Sequence, residues 1–251
     1  MRLREENDFR FLVDELKELI SPRTRLVVIN SPQNPTGGVL TREDLETIYE
    51  LAEKHDFWIM SDEIYSRIVY EKEFQSIATI PGALKRTILL DGLSKTYAMT
   101  GWRMGFAVVP TRLAEYLAKL AINNFSCNNT FIQYALMEAL SGPQDDVDRM
   151  VTQFKQRRDV IVDGLNKIEG LHCLKPYGAF YAFANITQTG MKSAELAELL
   201  LDQTGVACLA GTAFGQYGEG YLRFSYANSV ENIKEALTRI EKTLAGLRQV
   251  K

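Results

Sequence analysis

Polar or charged side chains follow three short apolar runs in this sequence. Asn34 comes four residues after the run LVVIN, within the turn sequence SPQNPTGG. Asp62 and Tyr65 follow the run FWIM, and Lys95 and Arg103 follow the run TILLD. When such runs form parallel strands, their carboxyl ends lie along one edge of the sheet, where ligands bind. We therefore expect an amide, a carboxylate with a phenol, and a lysine with an arginine to share one cleft.

This set of residue types suits a cofactor that carries an aldehyde. A lysine in a partly desolvated pocket can form a Schiff base with pyridoxal phosphate. Asp62 would keep the pyridine nitrogen of that cofactor protonated, Tyr65 and Asn34 could hydrogen-bond its phenolic oxygen, and the donors of Arg103 suit a phosphate group. Each residue taken alone also fits a structural role, because such turns, helix caps and exposed cations are common. It is the combination that favours pyridoxal phosphate chemistry.

The segments SPQNPTGG, SDEIY and GLSKTYAMTGWRMG resemble the signature motifs of the class I/II aminotransferases, the fold-type I pyridoxal phosphate enzymes. The resemblance extends from Asn7 to the last predicted helix. It implies that Lys95 forms the Schiff base and moves protons, and that Asp62 contacts the pyridine nitrogen. It also implies that Tyr65 and Asn34 bind the phenolic oxygen.

The resemblance implies further ligands for the phosphate and for the substrate. It makes Arg103 a phosphate ligand and adds Ser94, next to the lysine, to the cofactor-binding set. In the later segment YLRFSYANS it makes Arg223 the partner of the substrate α-carboxylate, with Asn34 also at the substrate. The segment PYGAFYAF at 176–183 resembles the family's edge of the substrate entrance, although a packed aromatic strand would have the same pattern.

The sequence departs from the family pattern at two places. Family members have a long N-terminal region without a counterpart here, which includes a phosphate-binding loop at a helix N-terminus and an aromatic residue that stacks on the cofactor. Some relatives have a phosphate-binding serine three residues before the lysine, where this chain has Gly92. We therefore expect a C-terminal fragment of an aminotransferase with exposed strand edges and apolar faces, in which Arg103 carries most of the phosphate charge.

The hydrophobic pattern predicts an α/β fold: a mostly parallel sheet sandwiched by helices, N-terminally incomplete, plus a smaller C-terminal α+β domain. Strands are predicted at 26–30, 57–60, 87–91, 104–109, 179–184, 206–209 and 221–226. Helices are predicted at 11–20, 41–55, 111–123, 130–141, 145–169, 193–203 and 230–247. These elements divide the chain into a cofactor-binding large domain over 1–144, a connecting long helix over 145–169 and a small domain over 170–251.

Composition argues against several other classes of protein. A hydrophobic content of 46% and a net charge of −3 fit a globular domain and give no sign of nucleic-acid binding. No apolar run reaches the roughly 20 residues that a membrane span needs, and three scattered cysteines fit the reduced thiols of a cytoplasmic protein. The two histidines, His55 and His172, have no metal-ligand spacing, and the phosphate-binding patterns GxGxxG and GxxxxGK[ST] are absent. We expect small-molecule substrates and no metal, nucleic-acid or membrane partner.

The resemblance implies a pyridoxal phosphate-dependent aminotransferase that moves an amino group from an L-amino acid to a 2-oxo acid. Aspartate is the first candidate donor and an aromatic amino acid is another. Two alternatives stay open: a C–S β-lyase of the same fold, because one cofactor serves both reactions, and a catalytically silent fragment. Since full-length relatives are homodimers with sites at the interface, the resemblance also implies a homodimer in the full-length form and a role in amino acid biosynthesis.

Overall fold

The computed structural model describes the backbone of residues 1–249, which forms two sheets flanked by helices. The strands are β1 (Leu26–Asn30), β2 (Trp58–Asp62), β3 (Thr87–Gly92), β4 (Gly105–Val108), β5 (His172–Cys173), β6 (Tyr181–Asn185), β7 (Leu209–Ala210) and β8 (Tyr221–Ser225). The α-helices are α1 (Val13–Leu19), α2 (Arg42–His55), α3 (Leu93–Thr96), α4 (Thr111–Phe125), α5 (Thr130–Ser141), α6 (Asp145–Leu165), α7 (Ser193–Thr204) and α8 (Val230–Gln249).

The first sheet has the strand order β1-β2-β3-β4, in which the first three strands are parallel and β4 is antiparallel to β3. Helix α2 buries Leu45, Ile48 and Ala52, which recur at helical spacing, in the same core as the sheet residue Ile59. The register aligns Asn30 at the end of β1 with the last residue of β2. The carboxyl ends of the parallel strands therefore lie at one edge, as the α/β prediction requires.

The second sheet has the order β5-β6-β8-β7 and is antiparallel throughout. Its core holds Leu165 of α6, Leu196 of α7 and Ile240 of α8, so three helices cover it. Tyr65 and Ile68, from the segment after β2, are buried in this same core. The segment that leaves the first sheet is therefore held in place by the second.

Helices α4 and α5 contain no buried residue. Eight of their large apolar side chains are more than half exposed: Tyr116, Leu120, Ile122, Phe125, Phe131, Tyr134, Met137 and Leu140. Val28 on β1 is also more than half exposed. The exposed apolar faces expected from the sequence are therefore present, and together they exceed the scattered apolar residues of an ordinary surface.

The structure confirms most predicted elements, with β1 and α5 matching to the residue. The strand predicted at 206–209 is wrong over its first three residues, because the Val206 amide donates to Leu200 O and Thr204 Oγ1 and so closes the end of α7. The strand predicted at 179–184 begins only at Tyr181, because Ala179 has a left-handed φ of 57° that breaks the strand geometry. Helix α6 ends before residue 169, and the two-residue strand β5 was not predicted.

The division into domains at residues 144 and 169 stays a prediction. Residues 250–251, at the end of the predicted small domain, lie outside the described residues.

Candidate active site

The first two strand ends are joined by a set of hydrogen bonds around Asn30. Its Nδ2 donates to the backbone oxygen of Asp62 at 3.0 Å, and its Oδ1 accepts from the backbone N–H of Asn34 at 2.9 Å. The Oδ1 atom of Asp62 accepts from the Ile64 amide at 3.2 Å, while its other carboxylate oxygen makes no hydrogen bond within the described residues. One face of this carboxylate is thus free to receive a proton or a donor.

Lys95 lies on the short helix α3, directly after the third parallel strand. Its half-buried side chain places Nζ 6.0 Å from the ring centroid of Tyr65 and 5.8 Å from that of Phe180. The Nζ atom forms no hydrogen bond or ion pair within residues 1–249. A lysine held between aromatic rings without a counter-ion is available to react with a carbonyl group.

Gly92 precedes α3 and lies against the neighbouring strand. A Cβ atom built on it would lie 2.8 Å from the Cα of Gly105 and 2.9 Å from the carbonyl oxygen of Met104. These distances are too short for a side chain without movement of the backbone. The close pairing of β3 with β4 therefore leaves no room for a side chain at this position.

Tyr65 is buried and its hydroxyl lies 2.9 Å from the hydroxyl of Tyr181. Burial raises the pKa of the Tyr65 phenol well above its ordinary value. The phenol is consequently protonated at any physiological pH and can act as a hydrogen-bond donor.

Arg223 on β8 is held by three neighbours. Its Nη1 donates to Asn34 Oδ1 at 2.9 Å, and its guanidinium carbon lies 4.5 Å from the ring centroid of Tyr181 and 5.0 Å from that of Phe214. Its Nε is buried and has no hydrogen-bond partner in the described part of the chain. A buried, unpaired guanidinium N–H is costly, so this atom is suited to receive an acceptor such as a carboxylate oxygen.

The two predicted phosphate ligands do not join this cluster by any direct contact in the described residues. Arg103 is exposed and donates only to the carbonyl oxygen of Thr100, at 3.0 Å. Ser94 is half-buried beside the lysine and makes no hydrogen bond within residues 1–249. Both side chains are therefore free to turn towards an anion, and their role as phosphate ligands stays a prediction.

Sequence reasoning missed two residues that the structure places in the site. In the sequence Tyr181 is one of several aromatic residues in a single segment, and Phe214, whose ring lies 5.0 Å from the guanidinium carbon of the arginine on β8, belongs to no recognised motif. The signal available for Tyr181 was its place in PYGAFYAF, but its contact with a residue 116 positions away is not visible in a pattern. No such signal existed for Phe214, which ends a short 3-10 helix (Gly211–Phe214) in a glycine-rich segment.

An ion-pair network centred on one buried arginine supports the segment behind the site. Arg158 of α6 is fully buried and binds Glu71 through two bonds of 2.5 and 2.7 Å. It also binds Asp159 and the carbonyl oxygen of Pro176, and its guanidinium carbon lies 4.4 Å from the ring centroid of Tyr70. One side chain thus connects α6 with the segment after β2 and with the segment before β6.

The described residues give no sign of two other kinds of site. None of their helices is long and apolar enough to cross a membrane, and they contain no group of three or more side chains suited to a metal ion.

Comparison with known proteins identifies the class to which this fold and site belong. The family model for aminotransferase class I and II matches residues 1–240, and the chain belongs to this family. Its members are dependent on pyridoxal phosphate, which the free lysine, the free carboxylate oxygen and the unpaired arginine donor described above would fit.

Three similar proteins illustrate the match. The chain is 46% identical to aromatic-amino-acid aminotransferase 2 of Thermococcus litoralis and 45% identical to an aspartate aminotransferase of Pyrococcus abyssi, in each case over 96% of this chain and 62% of the relative. The solved structure of an aromatic aminotransferase from Pyrococcus horikoshii superposes with a TM-score of 0.95 at 43% identity, covering 98% of this chain and 66% of that one. The chain thus spans about 62% of the length of the curated relatives.

Proposed function

We propose that this site binds pyridoxal phosphate and transfers an amino group from an L-amino acid to a 2-oxo acid. The observation that carries the proposal is the position of Lys95. Its amine has no partner within the described residues, and it lies beside the ring of Tyr65, whose hydroxyl is linked through Tyr181 to Arg223. A reactive amine and a carboxylate receptor are thus connected by two phenols.

The cofactor, when bound, supplies an electron sink that stabilises negative charge on the α-carbon of the substrate. Asp62 holds a proton at the cofactor's ring nitrogen through its free carboxylate oxygen. Tyr65, kept protonated by burial, donates to the phenolic oxygen, with Asn34 as the second predicted ligand there. Lys95 would hold the cofactor covalently through Nζ, and its free amine would be the group placed to accept and return a proton at the α-carbon of the substrate.

Arg223 binds and orients the substrate. Asn34 accepts from one N–H of the Arg223 guanidinium, and two aromatic rings cover the faces of this group. The remaining donors, including the buried Nε, are left for the α-carboxylate. Such a fork of donors fixes the orientation of a carboxylate as well as its position. Arg103 and Ser94 are proposed to bind the phosphate, because both are free to turn towards it.

For the donor we propose an acidic or aromatic amino acid, with aspartate first, because the two relatives compared are named as aromatic and aspartate aminotransferases. Both carry aminotransferase names, so we do not propose the β-lyase reaction. We further propose a homodimer in the full-length form and a cytoplasmic role in amino acid biosynthesis. The exposed apolar faces of α4 and α5 support the homodimer, since they are suited to association.

An absorbance titration of the purified chain with pyridoxal phosphate tests the proposal. We expect a near-visible band that is lost in Lys95→Ala and retained in Lys54→Ala, a matched change at an exposed position of α2. Adding L-aspartate, L-alanine and L-phenylalanine in turn should bleach the band with the true donor. The absence of a band that depends on Lys95 would contradict the proposal.

A further inference from the structure

We propose that Tyr181 is a positioning residue that couples the cofactor-binding half of the site to the substrate-binding half. The inference rests on the proposed function, because it assigns those two halves. Tyr181 is the first residue of β6 and is buried. Its hydroxyl contacts Tyr65 and its ring contacts Arg223, so one side chain touches a predicted ligand of each half.

The hydroxyl of Tyr181 lies 2.9 Å from that of Tyr65. If the Tyr65 hydroxyl donates a hydrogen bond to the cofactor, the Tyr65 oxygen can only accept in its bond with Tyr181. The Tyr181 hydroxyl is then the donor of that bond. A donor to that oxygen polarises the phenol and strengthens the hydrogen bond that the phenol itself donates. Tyr181 thereby acts on the phenolic oxygen of the cofactor through Tyr65, without touching it.

The ring of Tyr181 acts on the other half of the site. The Arg223 guanidinium carbon lies 4.5 Å from its centroid, with Phe214 at 5.0 Å as a second aromatic neighbour. Cation–π contacts of this kind hold the guanidinium in position without using its N–H donors. The donors are therefore left for Asn34 and for a carboxylate.

The backbone before Tyr181 is fixed by two phenols. The carbonyl oxygen of Ala179 accepts hydrogen bonds from Tyr70 Oη at 2.5 Å and from Tyr226 Oη at 3.1 Å. The backbone N–H of Ala179 donates to the carbonyl oxygen of Ile68 at 2.9 Å. These bonds hold Ala179 in the left-handed conformation, which is unfavourable for alanine. The direction in which β6 starts, and with it the placement of Tyr181, is consequently set by contacts outside the site.

Two substitutions separate the two contacts. Tyr181→Phe removes the hydroxyl and keeps the ring, whereas Tyr181→Leu removes both. Tyr217→Phe and Tyr217→Leu, at a position that is 57% exposed, are the matched controls. For Tyr181→Phe we expect the pH midpoint of the near-visible absorbance of the bound cofactor to rise by about half a pH unit, because the hydrogen bond that Tyr65 donates to the anionic phenolic oxygen weakens.

The affinity for unreactive carboxylates provides the second measurement. Succinate and 3-phenylpropanoate, titrated calorimetrically, represent acidic and aromatic substrates. We expect Tyr181→Phe to bind the better of the two within about twofold of the parent protein, and Tyr181→Leu to bind it roughly three- to thirtyfold more weakly, as the loss of a cation–π contact predicts. A merely structural role would change both measurements together in both variants. An unchanged pH midpoint in Tyr181→Phe, or unchanged carboxylate affinity in Tyr181→Leu, would overturn the proposal.

A cofactor-free measurement keeps this test separate from the proposed function. Urea unfolding of the parent chain, Tyr65→Phe, Tyr181→Phe and the double variant forms a double-mutant cycle. We expect a coupling that corresponds to about a fivefold change in the folding equilibrium constant. If no band depends on Lys95, the proposed function fails, and this cycle alone decides whether the two phenols act together. A coupling indistinguishable from zero would refute the contact on which the inference depends.

Discussion

Replacing Glu71 with glutamine should destabilise the protein in a way that depends on pH. Glu71 binds the fully buried Arg158 through two hydrogen bonds and lies 3.3 Å from Lys155 Nζ. The bonds with Arg158, more than any other interaction, lower the pKa of Glu71 from an ordinary 4.5 to about 2. A carboxyl group whose pKa is lower in the folded state than in the unfolded chain stabilises the fold only while it is ionised.

The size of the effect follows from that difference in pKa. A fall in pKa from 4.5 to about 2 corresponds to a contribution of about 3 kcal/mol to the free energy of unfolding when the group is fully shielded from solvent. The Glu71 side chain is 40% exposed, so solvent reduces the contribution, and we expect about 1–2 kcal/mol at pH 7. Asp159 continues to pair with Arg158 in the variant, which prevents the larger cost of a buried cation without any partner.

Urea unfolding at pH 7, 5.5, 4.5 and 3.5 measures the effect. The stability that Glu71 supplies is fully present above pH 4.5 and is lost as the pH falls towards 2, so the difference between the parent chain and Glu71→Gln should shrink across this range. Glu73→Gln, two residues away and exposed, should stay within about 0.5 kcal/mol of the parent at each pH. A difference for Glu71→Gln that is constant from pH 7 to 3.5 would refute the reasoning.

Three further predictions concern the site and the core. Gly92→Ala should lower the free energy of unfolding by about 1–3 kcal/mol, because the added Cβ would lie 2.8 Å from the Cα of Gly105. Gly101→Ala, at a position with open space, is the control. Equal losses of stability for the two variants in urea unfolding would contradict the steric explanation. Arg223→Lys should raise the KM for the amino donor at least about tenfold, because a lysine cannot form the same fork of donors. The absorbance of the cofactor without substrate should stay unchanged. An unaltered KM in steady-state kinetics would show that the arginine does not bind the substrate. Leu165→Ala should lower the free energy of unfolding, measured with heat or urea, by about 2–5 kcal/mol, because the side chain is fully buried in the core beneath the second sheet. A decrease below about 1 kcal/mol would mean that neighbouring side chains move to fill the cavity.

The sequence predicted the elements whose signal is local. The run LVVIN has four consecutive apolar residues and is followed by Ser31 and Pro32, and β1 coincides with it. The residues after that run, Asn34 among them, could be assigned to the same sheet edge because parallel strands leave no other place for their carboxyl ends. The resemblance to aminotransferase motifs predicted roles for individual residues, which the hydrophobic pattern alone does not indicate.

What the sequence could not predict depends on contacts between distant parts of the chain. The start of β6 is set by the bonds that Tyr70 and Tyr226 make with Ala179, and none of these residues is marked by its neighbours. Tyr181 resembles any other aromatic residue in a strand until its hydroxyl is seen beside Tyr65. Arg103 stands in a matching motif, yet its exposed side chain donates to the carbonyl oxygen of Thr100, a contact that the motif does not indicate.

The separation of the site along the chain has a consequence for biosynthesis. Lys95 and the residues that precede it leave the ribosome roughly 130 residues before Arg223. At about 5–20 residues per second, that interval lasts roughly 6–26 seconds. During much of that interval Lys95 lacks Phe180, one of the two rings beside it, so the pocket in which we propose that its amine reacts forms only after the second sheet has been synthesised.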